Sequence, residues 1–169
     1  MKDSPQPAFV ALGSNIGDSV SNIRRAMARL QTLSEKPLLK SSLWQTTPLD
    51  CPPDSPLFIN AVVGLVPNSD ETPESLLRKL QAIEKEFGRM PKQMLNEPRP
   101  LDLDLIAFGN ETRATKDLTL PHPRARQRRF VLQPLTEVAP GFIFPGQTAM
   151  ASELLQKLPQ DPAMKPAKA

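Results

Sequence analysis

The sequence EPRPLDLDLIAF, residues 97–108, carries two aspartates within an otherwise apolar run. In a β-strand, residues two apart point to the same face, so Asp102 and Asp104 would lie side by side, about 7 Å apart along the chain. The opposite face would hold the intervening leucines, Leu101, Leu103 and Leu105. Such a strand either turns a polar face to solvent or presents a pair of carboxylates in a functional site. The rest of the chain decides between these interpretations.

Apolar periodicity predicts six core elements in the order strand, helix, strand, strand, helix, strand. The five that precede the aspartate strand are residues 8–13, 19–33, 36–47, 58–66 and 70–88. In the last of these, Thr72 is a suitable N-cap, Pro73 fits the first helical position and Gly88 suits a left-handed C-cap. The order predicts an α+β fold of the ferredoxin-like type, an antiparallel sheet with helices on one face and the active site on the other.

The length of 169 residues suits one domain. We predict a single catalytic domain over residues 1–158, with further helical pieces at 127–138 and 150–157. The end of the chain, residues 159–169, has the sequence PQDPAMKPAKA and is predicted to be a disordered tail.

Composition excludes several classes of protein. No apolar run reaches the 18 or more residues that span a bilayer, and the N-terminal sequence lacks the pattern of a signal peptide. Cys51 is the only cysteine, which excludes an internal disulfide and a cysteine-cluster metal site. The net charge of +3 is too small to imply nucleic acid by itself. We therefore expect a cytoplasmic protein, monomeric, that binds neither membranes nor nucleic acid.

Basic residues cluster near the carboxylate pair. PHPRARQRRF, residues 121–130, holds four arginines, and Arg89, Lys92 and Arg99 precede the aspartates. Mg²⁺ in proteins is usually bound by one or two carboxylates plus substrate phosphates, so this combination predicts a site for a polyphosphate and its metal ions. The chain lacks the P-loop pattern G-x-x-x-x-G-K-[ST].

Two rival interpretations share some of these features. A nucleotidyltransferase or cyclase on a similar sheet would also use paired aspartates with two metal ions. An RNA-binding sheet module would have to place aspartates where aromatic stacking platforms are needed, and aromatic residues make up only 5% of the chain.

Four segments, in order, carry a resemblance: FVALGSNIGD, TTPLDCPPDSPLFINAVV, PRPLDLDLIAFG and LTLPHPRARQRRFVLQPLTEVAP. Together they closely resemble the 6-hydroxymethyl-7,8-dihydropterin pyrophosphokinase family over about residues 8–146. The resemblance implies the ferredoxin-like fold and transfer of the β,γ-diphosphate of ATP to the hydroxymethyl group of 6-hydroxymethyl-7,8-dihydropterin. It also implies that AMP is released, that two Mg²⁺ ions serve the reaction and that the product enters folate biosynthesis.

The resemblance also implies site residues, position by position. The metal ligands would be Asp102 and Asp104, which with Arg99 and Arg128 form the catalytic set. The pterin pocket would be lined by Thr46, Leu49, Phe58, Asn60 and Phe130. ATP would contact Gln81, Glu84, Arg99, Leu105, Thr119, His122 and Arg128. A flat heterocycle is well served by aromatic faces such as Phe58 and Phe130, and by an amide such as Asn60 that both donates and accepts.

The loop of residues 89–100 departs from the family pattern. Asn96, Glu97 and Pro91 stand where members commonly carry a tryptophan, a glycine and an arginine. We therefore expect this lid to close without its usual aromatic cover and with one fewer phosphate contact.

Overall fold

The computed structural model describes residues 6–46, 57–88 and 100–167. Two predicted site residues, Leu49 and Arg99, lie outside these ranges, as do the lid residues 89–99.

In chain order, the core elements follow the predicted succession of strands and helices, and further elements follow them toward the C-terminus. The elements are β1 (Ala8–Ser14), α1 (Ser19–Gln31), β2 (Leu39–Lys40), β3 (Trp44–Thr46), β4 (Phe58–Leu65), α2 (Pro73–Glu86), β5 (Asp102–Phe108), β6 (Arg113–Ala114), β7 (Thr119–Leu120), a 3₁₀ turn (Ala125–Gln127), α3 (Arg129–Val138), α4 (Ala151–Gln156) and β8 (Lys165–Pro166). Within the described residues, the main sheet runs β5-β1-β4-β3-β8, with β2 also paired to β4, and every pairing in it is antiparallel. The predicted ferredoxin-like α+β fold is confirmed.

Local sequence fixes the ends of the two long helices. The Asp18 side chain accepts a hydrogen bond from the Ser21 backbone N–H at 3.1 Å, which caps α1. Thr72 and Ser75 form a reciprocal capping box at the start of α2. Past its C-terminal end, Gly88 adopts a φ of +88°, the left-handed conformation predicted for this glycine.

The predicted strand 36–47 is divided into β2 and β3, both paired to β4. Ser41 lies between them. Its Oγ accepts the Val62 backbone N–H at 2.9 Å, while its own N–H donates to the Val62 carbonyl at 3.0 Å. A side-chain oxygen therefore replaces a backbone acceptor at this point and interrupts the ladder.

Both faces of the sheet carry a buried apolar cluster. On the first face, α1 and α2 cover a cluster that includes Val10, Leu12, Leu103 and Leu105. The opposite, or second, face carries an apolar cluster of Phe9, Val62, Ile106 and Ala107 packed under residues of α3 and α4, including Val131, Leu132, Leu135 and Ala151. The prediction had helices on one face only. Helices cover part of the second face as well, because removing its apolar side chains from water stabilises the fold just as it does on the first face.

The C-terminal segment differs from the predicted disordered tail over residues 159–169. Lys165–Pro166 pairs with β3, and the Ala167 N–H donates to the Leu43 carbonyl at 2.8 Å. The three-residue strand β3 offers an edge whose backbone groups need partners, and proline is tolerated in a strand at such an edge. Residues 168 and 169 lie outside the described ranges.

Among the helices in the described part of the chain, none has the length and apolar character of a membrane-spanning segment.

Candidate active site

One row of residues crosses the second face of the sheet at the end where β5 begins. Gly13 of β1 pairs with Asp102 of β5 on one side and with Asn60 of β4 on the other, and Asn60 in turn pairs with Trp44. Directly opposed residues in antiparallel strands point to the same face, and neighbouring strands lie about 4.8 Å apart. The carboxylate of Asp102 and the amide of Asn60 therefore rise about 10 Å apart on either side of a glycine.

Gly13 has no side chain, so the backbone between Asp102 and Asn60 is uncovered on this face. A Cβ built there would lie 3.0 Å from Asn60 Oδ1 and 3.6 Å from the Phe58 ring. A side chain at position 13 would therefore crowd the Asn60 amide, which would have to shift by a few tenths of an ångström. Gly13 is not among the site residues predicted from the sequence. The one available signal was a glycine that ends the apolar strand FVALG.

Three predicted pterin residues come together beside Gly13. Asn60 Nδ2 donates to Thr46 Oγ1, both side chains are buried, and Thr46 pairs with Phe58 across β3 and β4. The bond fixes the amide with its Nδ2 on Thr46, so Oδ1 is the atom that faces Gly13. These contacts form a fixed polar edge with an aromatic ring next to it.

The fourth described pterin residue, Phe130, is on α3. It packs against the second-face cluster, and the Arg128 guanidinium carbon lies 5.4 Å from its ring centroid. Phe130 therefore shares the second face with Thr46, Phe58 and Asn60.

Arg128 connects Phe130 to the aspartates. Burial lowers the pKa of Arg128, and the nearby charge of Asp104, with a smaller contribution from Asp102, acts in the opposite direction. The Arg128 guanidinium therefore lies within electrostatic range of both carboxylates. Asp102 and Asp104 are both half-buried.

A β-bulge brings His122 to the same region. The register between β1 and β5 shifts after Phe9, which leaves Ile106 as an extra residue on β5. The Ile106 carbonyl accepts the His122 backbone N–H at 2.9 Å. His122 Nδ1 accepts the Arg124 backbone N–H at 3.2 Å, so the neutral ring carries its proton on Nε2.

The environment of His122 predicts a pH dependence of stability. Burial lowers its pKa below the ordinary 6.5, and the positive charges of Arg128 and Arg124 lower it further, whereas Asp102 opposes them. The unfolded chain therefore takes up a proton more readily than the folded protein does. The stability contributed by neutral His122 is present above pH 6.5, the pKa in the unfolded chain, and is lost as the pH falls below 6.5 through the lower pKa of the folded protein. His122→Asn should lose less stability than the wild type as the pH is lowered from about 8 to about 5, measured by urea unfolding. Identical losses in the two proteins would contradict this role, and His122 is the only histidine to account for.

The predicted ATP residues lie along the outer edge of β5 and the elements beside it. Glu84 Oε2, on α2, accepts the Leu103 backbone N–H at 2.7 Å. Leu105 is buried in the first-face cluster, so its backbone rather than its side chain can reach a ligand. Backbone N–H and C=O groups two residues apart in a strand point to the same side, so those of Leu105 point to the same outer edge as those of Leu103. Gln81 on α2 and Thr119 on β7 are both exposed.

The carboxylate pair suits a hard cation. Within the described ranges, no group of three or more histidine, cysteine, aspartate or glutamate side chains could hold a metal ion. Two half-buried carboxylates on one strand face supply oxygen ligands, and Mg²⁺ usually completes its shell with water and substrate phosphate. The donor set therefore fits a metal ion that binds together with a nucleotide.

Comparison with known proteins gives a consistent result. Residues 9–140 match the family model described as 7,8-dihydro-6-hydroxymethylpterin-pyrophosphokinase. The 2-amino-4-hydroxy-6-hydroxymethyldihydropteridine pyrophosphokinase of Synechocystis is 36% identical over 159 residues, which cover 92% of this chain and 80% of that protein. The protein of the same name from Pseudomonas aeruginosa is 39% identical over 141 residues, 83% of this chain and 85% of its own length.

Other relatives are longer than this chain. The folate synthesis bifunctional protein of Arabidopsis thaliana is 36% identical over 133 residues, which are 79% of this chain and 27% of that protein. Among solved structures, wild-type Plasmodium falciparum HPPK-DHPS with pteroate superposes with a TM-score of 0.70 at 14% identity, covering 93% of this chain and 45% of that one. At that identity the superposition supports the fold alone. The chain spans less than half of these solved chains.

Proposed function

This chain belongs to the 7,8-dihydro-6-hydroxymethylpterin-pyrophosphokinase family, and on that premise we propose which of its residues hold the substrates. The enzyme transfers the β,γ-diphosphate of ATP to the hydroxymethyl group of 6-hydroxymethyl-7,8-dihydropterin and releases AMP. The observation that carries the residue assignment is the row Asp102, Gly13, Asn60 on the second face of the sheet. This family membership also sets aside the nucleotidyltransferase and RNA-binding interpretations.

The pterin lies over Gly13 in this proposal. Asn60 and Thr46 meet its polar edge, and Phe58 and Phe130 offer aromatic faces. Support comes from the bare backbone at Gly13, where an added Cβ would be 3.0 Å from Asn60 Oδ1. A fixed amide beside a flat apolar surface recognises a heterocycle by both shape and hydrogen bonding. Leu49, outside the described residues, is retained in the pocket on the family resemblance.

The triphosphate of ATP lies toward Asp102, Asp104 and Arg128 in this proposal. His122, with its proton on Nε2, donates a hydrogen bond to a phosphate oxygen, and Arg128 neutralises phosphate charge. Asp102 and Asp104 would hold two Mg²⁺ ions, which supply charge neutralisation on the diphosphate when bound. Gln81, Glu84, Leu105 and Thr119 are assigned to the nucleoside, on the outer edge of β5, and Arg99 to the phosphates.

Catalysis in this arrangement comes from positioning and charge neutralisation. The pterin hydroxymethyl oxygen attacks the β-phosphorus in line. A new bond forms between that oxygen and the β-phosphorus, and the bond from the β-phosphorus to the oxygen shared with the α-phosphate breaks. AMP leaves with the bridging oxygen, and the hydroxyl proton is released. The residues on the second face hold the two reactants in this orientation.

The products distinguish this reaction from ordinary phosphorylation. Paired aspartates alone would serve attack at the γ-phosphorus equally well. Phosphorus NMR of the purified enzyme with ATP and pterin should show AMP and a diphosphorylated pterin in equal amounts. ADP with a monophosphorylated pterin would overturn the proposed function. Omission of the pterin is the control, and it should leave ATP intact.

A further inference from the structure

Asn22 is a buried amide on the first-face side of the sheet, behind the proposed site. It lies at the end of the first turn of α1, where its backbone N–H donates to the Asp18 carbonyl at 2.9 Å. Its Nδ2 is 3.1 Å from the Ile16 carbonyl, 3.3 Å from Ser14 Oγ and 3.3 Å from the Pro100 carbonyl. An amide nitrogen has two hydrogens, so three acceptors at these distances share them.

The three acceptors belong to the segments that lead out of β1 and into β5. Ser14 follows Gly13, and Pro100 precedes Asp102 by two residues. Gly13 and Asp102 are the last pair in the register between β1 and β5. Past this pair the backbone ladder no longer holds the two strands together, and Asn22 joins them where the ladder ends. β5 is also the edge strand of the sheet, so β1 is the only strand that fixes it within the described residues.

Arg25 fixes the orientation of the Asn22 amide. Its Nη2 donates to Asn22 Oδ1 at 2.8 Å, which leaves Nδ2 directed toward the three acceptors. The Arg25 guanidinium carbon is itself 4.7 Å from the centroid of the Phe87 ring. One end of the Asn22 amide is therefore held by a positioned cation, and the other end holds the two chain segments.

We propose that Asn22 is a positioning residue for the reaction, which sets the place of Asp102 relative to Gly13 by holding the Pro100 carbonyl against the end of β1. The inference rests on the proposed function, since it takes Asp102 as a metal ligand and Gly13 as the pterin floor. Asn22 touches neither substrate in this arrangement. Its effect is on the distance between the carboxylate and the bound pterin, to which the rate of an in-line transfer is sensitive.

Asn22→Asp tests the proposal with little change in shape. The variant keeps an acceptor for Arg25, whose charge compensates the new carboxylate, but it can no longer donate to the Ile16 and Pro100 carbonyls. A misplacement of about 1 Å can cost about 100-fold in rate, so we expect kcat to fall about 10- to 100-fold. The KM values for ATP and pterin should stay within about threefold of wild type, because the residues that bind each substrate are retained. Ser21→Ala, one residue earlier on α1, is the matched control and should keep wild-type kcat.

Hydrogen exchange separates positioning from general loss of stability. In Asn22→Asp, exchange should accelerate at residues 102–104, at the start of β5, and remain unchanged in the centre of β4. Faster exchange throughout the sheet, or a kcat within twofold of wild type, would overturn the proposal. If the Asp variant does not fold, Asn22→Ser provides a second, uncharged substitution with the same expected changes. A wild-type enzyme that produced no AMP would instead overturn the proposed function, so the two failures are distinguishable.

Discussion

Asp102→Asn and Asp104→Asn are each expected to lower kcat about 100- to 1,000-fold, the range for loss of one preorganised electrostatic group. Asparagine has nearly the shape of aspartate, and both positions are half-buried on the second face, so the substitution removes charge without leaving a cavity. The proposed metal ions would then lose one of two carboxylate ligands, while Arg128 and His122 would remain to attract phosphate. ATP binding should therefore weaken less than catalysis.

Steady-state rates over a range of Mg²⁺ concentrations measure this effect. The two variants should need more Mg²⁺ for half-maximal activity and should fail to reach the wild-type rate at saturation. Binding of Mg²⁺ with a non-hydrolysable ATP analogue, followed by calorimetry, provides a readout that does not depend on turnover. Asp117→Asn is the control, since Asp117 is an exposed acid between β6 and β7 and should show wild-type behaviour. Near-wild-type turnover in both site variants would mean that the aspartates only form the solvent-exposed polar face of a strand.

Features that depend on neighbouring residues in the chain were predictable from the sequence. Thr72 and Pro73 begin α2, and Gly88 follows its end in a left-handed conformation. Each of these roles depends only on residues a few positions away, and the structure shows all three. The alternation that separates Asp102 and Asp104 from the flanking leucines is equally local. The ferredoxin-like arrangement followed from the order of such elements, because strand order in this fold leaves few alternatives.

Features that depend on contacts between distant segments were not predictable in this way. Gly13 is favoured because Asn60, 47 residues later, places its Oδ1 only 3.0 Å from where a Cβ would stand. Lys165–Pro166 forms a strand only because β3 presents an edge to it. The polar, proline-rich composition of residues 159–169 indicates that this segment cannot form a core of its own. It does not indicate whether an edge strand elsewhere in the fold will pair with it.

Phe130→Ala is expected to weaken pterin binding by about 1 to 3 kcal/mol and to leave nucleotide affinity largely intact. The ring packs at the edge of the second-face cluster, and in the proposed site its face is turned to the pterin. Loss of the ring removes both a stacking surface and apolar area buried with the ligand. It also removes the surface under the Arg128 guanidinium, which lies 5.4 Å from the ring centroid, so a small change in nucleotide affinity is expected too.

Phe130→Leu separates stacking from packing in the protein itself. Leucine keeps much of the apolar contact with the second-face cluster but offers no flat aromatic face, so both variants should weaken pterin binding if the ring stacks on the substrate. If the ring only fills the core, Phe130→Leu should bind pterin as wild type does, and Phe130→Ala should lower thermal stability instead. Calorimetric titration of each variant with pterin and with a non-hydrolysable ATP analogue decides between these outcomes. Equal losses for both ligands would assign Phe130 to the core, because a residue of the pterin pocket affects one substrate more than the other.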